Sequence, residues 1–214
     1  MPEQLFDRHA RKYDAWYDTE PGKALFAMEV DCLRPFVDHR RPWLEVGAGS
    51  GRFARALGLE YGIDPSRPFL HIAHSRGIKV VQGVGDALPF RSGVFSGVLM
   101  ALALCFIRRP EKALGEAARV MKDNGCLVLG MIFKESSWAK YYTRLGEEGH
   151  PIYRNAVFHS RAELETMLRE AGFGELTYRS VLLQPPGLTS YKSELPLEGY
   201  RPNAGFVALK TVKK

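Results

Sequence analysis

From residue 43 to 131 the chain alternates two patterns. Short continuous apolar runs are followed by segments whose apolar residues recur every three or four positions. The first kind reads as buried strand and the second as amphipathic helix. Residues 43–46 form the first strand. A helix over 51–57 follows, with Gly58 as its stop. Residues 59–63 make a second strand, closed by Asp64 and Pro65. Ser66 can cap a helix ending near Gly77. A third strand is expected over 78–82 and a fourth within 94–104. Pro110 suits the first turn of a helix reaching about Lys122. After the turn Asp123-Asn124-Gly125, residues 126–133 make the fifth strand. Runs such as VLMALAL and CLVLGMI have no polar face. They belong to strands covered on both sides, hence to a parallel sheet between helix layers.

The last third breaks the alternation. Ser160 to Glu163 spell a capping box, and Leu164, Met167 and Leu168 form an apolar stripe that Gly172 ends. Strands are then expected over 176–183 and 205–212 with no helix between them. That predicts an antiparallel pair at the sheet edge and seven strands in all. The proline-rich connector 184–203 joins the pair. Two segments stand apart. Residues 1–40 read as helix, with aromatics at Phe6, Tyr13, Trp16 and Tyr17. Residues 134–159 interrupt the core as an insertion suited to a lid or substrate surface. The expected organisation is one domain: a helical cap (1–40), a ligand-binding core (41–133), the insertion (134–159), and a C-terminal helix with its strand pair (160–214).

Composition narrows this picture only a little. The length of 214 residues fits one domain with a sizeable core. The longest apolar stretch, 94–107, is shorter than the roughly 18 residues that span a bilayer, so no membrane partner is expected. The first residues are charged and carry no apolar signal core, which points to the cytoplasm. The 3 cysteines are odd in number and form no CxxC pair, so neither a disulfide framework nor a metal site is indicated. Cys105 and Cys126 lie in apolar runs, as small buried side chains do. The net charge of +6 includes no long basic run, so a nucleic-acid partner is not called for.

The candidate chemistry begins at EVGAGSGR, residues 45–52. Glycines at 47, 49 and 51 follow the first strand directly. In an open parallel sheet, ligands sit beyond the carboxyl ends of the strands, where strand order reverses. Gly47 and Gly49 let backbone approach a ligand, and Gly51 lets the next helix pack closely. The dinucleotide fingerprint GxGxxG does not fit, because the third glycine falls one residue early and Arg52 takes its place. Glu45 would also repel a pyrophosphate. No GxxxxGK[ST] occurs, which excludes a P-loop. Asp64 ends the second strand and can accept two hydrogen bonds from a ribose diol. The combination suits a nucleoside with a positive, phosphate-free extension, and S-adenosylmethionine has that chemistry.

At this point the chain resembles the class I S-adenosylmethionine-dependent methyltransferases of small-molecule type. The resemblance covers nearly all of it: FDRHARKYDAWY, LEVGAGSGRFA, YGIDPS, the LPF at 88–90, PEKALGEAARVMKDNGCLVL, REAGF and GFVALK. It implies a Rossmann-like, doubly wound, mostly parallel seven-stranded sheet with an antiparallel C-terminal pair, in three α/β/α layers. It implies that Gly47, Ala48 and Gly49 line the methionyl and ribose parts of the cofactor and that Glu45 shapes the loop near its amino group. Gly51 closes the turn. Asp64 grips the ribose, and Pro65 flanks the adenine. The backbone at Val84, Gly85, Asp86 and Ala87 meets the adenine edge, and Ala101 and Leu102 wall the pocket. Tyr13 and Tyr17 match a position where an N-terminal helix closes over the cofactor, although packing of that helix explains them almost as well. Many relatives place an aspartate four residues before the LPF leucine. Here Val84 stands there, with Asp86 two residues later, which leaves the adenine contact of Asp86 open. The fourth strand opens with Phe95-Ser96 instead of the common Phe-Asp, away from the pocket.

The expected reaction moves a methyl group to a small-molecule acceptor by in-line displacement and releases S-adenosylhomocysteine. Such a step needs positioning and exclusion of water more than a strong base. Accordingly no catalytic residue is legible. His150, His159, Tyr141 and Tyr142 lie in the insertion, where they could face an acceptor, but surface or packing roles suit each of them. Cys105 reads as pocket wall. Three other readings are an RNA or protein methyltransferase, a non-catalytic cofactor-binding protein using 134–159 as a partner surface, and an NAD-dependent oxidoreductase. Glycine spacing and the antiparallel end disfavour the last. The sequence names neither the acceptor nor the oligomeric state.

Overall fold

The computed structural model describes residues 2–214, with side chains from Phe6 onward. Eight strands form one sheet: β1 (Trp43–Val46), β2 (Tyr61–Asp64), β3 (Lys79–Gln82), β4 (Phe95–Ala101), β5 (Met121–Met131), β6 (Thr177–Val181), β7 (Leu197–Glu198) and β8 (Phe206–Val212). Their order is β3-β2-β1-β4-β5-β8-β6-β7. The first five run parallel, and β8 enters antiparallel to both β5 and β6. Every residue of β4 is buried, as expected of a central strand covered on both faces.

Helices α1 (Pro2–Trp16), α2 (Glu20–Leu33), α3 (Arg52–Leu57), α4 (Arg67–Ser75), α5 (Pro110–Val120), α6 (Ser137–Glu147) and α7 (Arg161–Glu170) flank the sheet. Strand side chains alternate in direction, so the sheet has two separate cores. On one face Leu44, Val46, Val98 and Met100 pack with Ala113, Leu114 and Ala117 of α5 and with Leu164, Met167 and Leu168 of α7. On the other, Trp43, Leu99 and Ala101 pack with Leu25, Met28 and Leu33 of α2, Phe53 and Leu57 of α3, and Trp138 of α6. The second face carries the chemistry described below.

The doubly wound sheet follows the sequence expectation, with an eighth strand added. β7 lies inside the connector, where Leu197 and Glu198 pair with Ser180 and Arg179. An Arg179–Glu198 ion pair of 2.7 Å and a Ser180 hydroxyl donating to the Gly199 carbonyl at 2.8 Å hold it. Two residues are too few to show a strand period, so the pattern gave no sign of it. β5 also begins earlier than expected, because Met121 pairs with Phe95 across an irregularity in the ladder. The insertion is mostly helical. Ser136 caps α6 by accepting from the Ala139 amide at 3.0 Å, and a 3-10 turn follows at Tyr153–Asn155. Ser160 and Glu163 make the reciprocal capping box. Ser66 precedes α4, but its hydroxyl makes no cap bond; its amide is bound by Asp64 instead.

Candidate active site

Strand order reverses between β1 and β4, and the glycine turn leaves β1 at that place. The amides of Gly47 and Ala48 both donate to the Ile63 carbonyl, at 2.9 and 3.0 Å, and fold the turn back over β2. Gly47, Gly49 and Gly51 all have positive φ, a region other residues rarely adopt. Their surroundings differ. A side chain on Gly47 would collide with Ala103, and one on Gly51 with Ala73 and Ile78. A side chain on Gly49 would meet nothing within 4 Å. Gly49 therefore presents bare backbone to open space.

Asp64, 8% exposed, braces this turn. Its Oδ2 accepts from the Gly49 amide and its Oδ1 from the Ser66 amide, each at 2.9 Å. Both oxygens retain lone pairs for further donors. Burial raises its pKa to about 6, against the lowering effect of the two amides. Glu45 is 1% exposed, and its Oε2 accepts from the Ala54 amide of α3 at 2.9 Å. Burial pushes it to about 8, the Ala54 bond opposes the rise, and the nearby Asp64 charge adds to it. Two buried acids thus line one cavity with only backbone amides as partners, an arrangement that a cation would complement.

The space is a cavity of about 420 Å³. Of the residues expected to hold a cofactor, Tyr13, Glu45, Gly47, Ala48, Gly49, Asp64, Pro65, Val84, Gly85, Asp86, Ala101 and Leu102 line it. Gly51 and Ala87 do not. Gly51 serves the packing of the turn on α4, and the Ala87 amide donates to the Val84 carbonyl, closing the loop behind the wall. Asp86 is held by Arg109, whose Nε donates to its Oδ2 at 2.6 Å. Leu102 has φ of 53°, a strained value for a leucine at the end of β4. Its amide is bonded to the Gly130 carbonyl at 2.8 Å, which fixes the wall there.

The lining also includes Phe6, Arg52, Phe53, Phe69, Phe106 and Ile107, which the motifs did not single out as site residues. The ring of Phe6 meets Phe106 edge-on at 5.2 Å, and Tyr13 meets Phe69 edge-on at 5.7 Å. α1 is thereby drawn across the mouth. A charged clasp holds it there. Asp14 receives Arg52 on Oδ1 at 2.8 Å and Arg76 on Oδ2 at 2.8 Å, while Arg52 also binds Asp18 at 2.8 Å. Burial opposes ionisation of Asp14, but the bonds from Arg76 and Arg52 outweigh it and hold the carboxyl well below its ordinary range. The one signal of this clasp in the sequence was Arg52 itself, standing where a dinucleotide turn would put glycine.

The insertion residues divide. Tyr142 stacks on Tyr153 with centroids 4.2 Å apart and packs on the α2 face of the sheet. His150 accepts the amides of Ile152 and Tyr153 on Nδ1 and so shapes its own loop. Tyr141 packs edge-on against Tyr142 and approaches Gly187. His159 is half-buried with Nε2 unpartnered among the described residues. Burial pushes the Cys105 thiol up to about 12, which disfavours the thiolate form that a nucleophile needs. No set of three or more metal-ligating side chains gathers among the described residues. No helix there is long and apolar enough to cross a membrane.

The donor set fits S-adenosylmethionine. It offers acceptors for hydroxyls at Asp64, an incompletely partnered acid at Glu45, and a bare glycine backbone between them. Comparisons with known proteins agree. Residues 44–129 match a methyltransferase domain family. An uncharacterized protein of Mycobacterium tuberculosis is 44% identical over 206 residues, spanning 96% of this chain and 72% of its own length. A ubiquinone/menaquinone biosynthesis C-methyltransferase of Methylobacterium nodulans is 29% identical, covering 82% of this chain and 84% of its own. The crystal structure of an S-adenosylmethionine-dependent methyltransferase of Thermotoga maritima, described as a possible histamine N-methyltransferase, superposes with a TM-score of 0.91 at 31% identity over 100% of both chains. Likeness of that extent, on top of this geometry, decides the matter: the chain belongs to the class I S-adenosylmethionine-dependent methyltransferases, and S-adenosylmethionine is its cofactor.

Proposed function

We propose that the enzyme methylates a small organic molecule, and that the cofactor is held by the residues that line the cavity. The observation that carries this reading is the roof. Phe6, Tyr13 and Tyr17 close over the glycine turn, and the Asp14 clasp fixes them there. A covered, aromatic-lined chamber suits a compact acceptor better than a nucleic-acid strand or a folded protein. The T. maritima structure, whose description names a small amine, is in keeping with this.

In this assignment Asp64 accepts the ribose hydroxyls through the lone pairs left free by Gly49 and Ser66. Glu45 faces the amino group. Val84 and Gly85 flank the base, and Asp86 is kept in line with them by Arg109. Leu102 and Ala103, at the end of β4, would wall the cofactor on that side. When bound, the cofactor supplies an electrophilic methyl group on a sulfonium. The chain's own contribution is to hold the acceptor atom behind that methyl and to exclude water through α1.

Calorimetry with S-adenosylhomocysteine, followed by methyl turnover against thiols, amines, phenols and carboxylates, tests the reading. We expect binding and turnover on one acceptor class. Failure to bind at high micromolar ligand overturns the cofactor assignment. Turnover only on RNA or a folded protein overturns the small-molecule assignment.

A further inference from the structure

Asp64 and Glu45 suit hydroxyls and an ammonium, and both repel a carboxylate. The methionyl end of the cofactor carries a carboxylate beside its ammonium, so the cavity needs a cation there as well. Among the described residues three arginines line it: Arg52, Arg108 and Arg109. Arg109 is bound to Asp86, and Arg108 is its neighbour, so both belong with the loop at 83–86. Arg52 directly follows the glycine turn. Its guanidinium lies over the ring of Tyr17, 5.4 Å from the centroid, and Tyr17 lines the cavity too.

Arg52 is also tied to α1 and to the residues just past its end. Nε donates to Asp14 Oδ1 at 2.8 Å, and Nη2 donates to the Asp14 carbonyl at 2.9 Å and to Asp18 Oδ2 at 2.8 Å. Nη1 donates to Asp18 Oδ1 at 3.1 Å. A guanidinium has five N–H groups, so one on Nη1 has no partner among the described residues. The Asp18 side chain is 62% exposed, so water competes for its bonds and the hold from that side is weak. The network reaches the turn as well. Arg76 joins Asp14 at 2.8 Å and donates to the carbonyl of Ser50, between Gly49 and Gly51, at 2.6 Å. α1 and the glycine turn therefore share one set of charges.

We propose that Arg52 binds the cofactor's carboxylate through its remaining N–H, and that this bond couples cofactor binding to closure of α1. The proposal rests on the cofactor assignment in the reading above. Ribose, ammonium and carboxylate then fall to three different side chains, Asp64, Glu45 and Arg52. An arginine stays charged throughout the working pH range, and its bonds to carboxylates are among the stronger hydrogen bonds. With Asp14 and Asp18 on one side and the ligand on the other, Arg52 is a bridge. A ligand without the carboxylate fills the cavity but leaves the bridge incomplete, so α1 gains less order. The product keeps the carboxylate, so its release requires the same bond to break.

The test is calorimetry with S-adenosylhomocysteine and with its decarboxylated analogue, 5′-deoxy-5′-(3-aminopropylthio)adenosine, which keeps the amino group. Wild type and Arg52→Gln are compared. We expect wild type to bind S-adenosylhomocysteine tenfold or more tighter than the analogue, and the variant to prefer it by threefold or less. If Arg52 only braces α1, the variant weakens both ligands alike and the preference stands, which overturns the proposal. A wild type without the preference overturns it too. Amide exchange on wild type tests the coupling with no variant. At equal saturation, S-adenosylhomocysteine should slow exchange over residues 6–17 at least threefold more than the analogue does, and equal protection overturns the coupling. Should Arg52→Gln not fold, the wild-type preference and the exchange difference decide, and both must hold. Failure of S-adenosylhomocysteine itself to bind is a separate outcome that overturns the cofactor assignment first.

Discussion

Asp64 accepts the amide hydrogen of Gly49 through Oδ2 at 2.9 Å, so the acid at the end of β2 also fixes the turn at the end of β1. Its other oxygen does the same for Ser66. One side chain therefore shapes the loop and faces the cavity. Asp64→Ala should weaken S-adenosylhomocysteine by about 1.5–3 kcal/mol, the range for hydrogen bonds to a charged group. Asp64→Asn keeps one acceptor but turns an N–H toward either the Gly49 or the Ser66 donor, so it should fall between wild type and alanine. Calorimetry reads both. Unchanged affinity in Asp64→Ala would remove the ribose role.

Glu45 predicts a proton count. Its pKa of about 8 keeps most of it protonated at pH 7 in the free protein. If it meets the cofactor's amino group, a positive charge arrives beside it and favours the ionised form. Binding should then release up to one proton to the solvent. Calorimetry at pH 7 in two buffers of different ionisation enthalpy measures this directly. The signal should disappear in Glu45→Gln, and equal heats in both buffers for wild type would refute the pairing.

What could be read from the chain alone divides along physical lines. The central strands were legible because burial on both faces leaves no polar positions, and Gly58, Pro110 and the Ser160–Glu163 box mark helix ends chemically. Glu45 and Asp64 were legible because an acid beside a glycine turn has few other uses. β7 was hidden by its length. Phe6, Phe69 and Phe106 were hidden because an aromatic in a cavity wall and one in a core follow the same period. Glu29 was invisible for a related reason. On an amphipathic helix a glutamate reads as solvent-facing, and only the packing of α2 in the folded chain shows that Glu29 is buried.

The clasp at Asp14 makes a prediction about closure. Arg52 and Arg76 are both largely buried against it, with side chains 15% and 24% exposed. Asp14→Ala leaves two guanidinium groups facing each other without their acid. The expected cost is about 1.5–3 kcal/mol, as for loss of a charge-assisted hydrogen bond. It should fall on α1 locally: faster amide exchange over residues 6–17, and faster release of S-adenosylhomocysteine. Uniform destabilisation without any change in α1 exchange would show that the clasp is not a closure device.

Burial of Glu29 predicts the pH dependence of stability. Its pKa rises from an ordinary 4.5 to about 8 on folding. Between those values the unfolded chain has lost the proton and the folded one keeps it. Stability from this group is therefore fully present below about pH 4.5 and is lost as pH rises to about 8. The slope is at most about 1.4 kcal/mol per pH unit for one proton. Glu29→Gln has no such term, so the variant should gain on wild type steadily from pH 5 to pH 8. Urea unfolding of both proteins at four pH values in that range measures the difference. Parallel curves would place Glu29 in water.

Gly49 and Gly51 separate binding from folding within one turn. Both have positive φ, at 49° and 74°, so alanine is strained by roughly 1 kcal/mol at either position. Beyond that strain they diverge. A Cβ at Gly51 would stand 2.9 Å from the Ala73 Cβ and 3.1 Å from its Cα, in a packed contact between the turn and α4 that cannot yield cheaply. Gly51→Ala should cost a further 1–3 kcal/mol of stability, the usual range for overpacking, with cofactor affinity reduced only through the altered loop. At Gly49, which lines the cavity, a Cβ meets no protein atom within 4 Å. Gly49→Ala should therefore unfold close to wild type apart from the strain, while S-adenosylhomocysteine binding falls at least tenfold because the methyl occupies ligand space. Thermal unfolding with and without S-adenosylhomocysteine reads both quantities in one experiment: Gly51→Ala lowers the midpoint of the free protein, and Gly49→Ala abolishes the ligand's upward shift. Reversal of that order would mean that the open side of the turn is not where the cofactor lies.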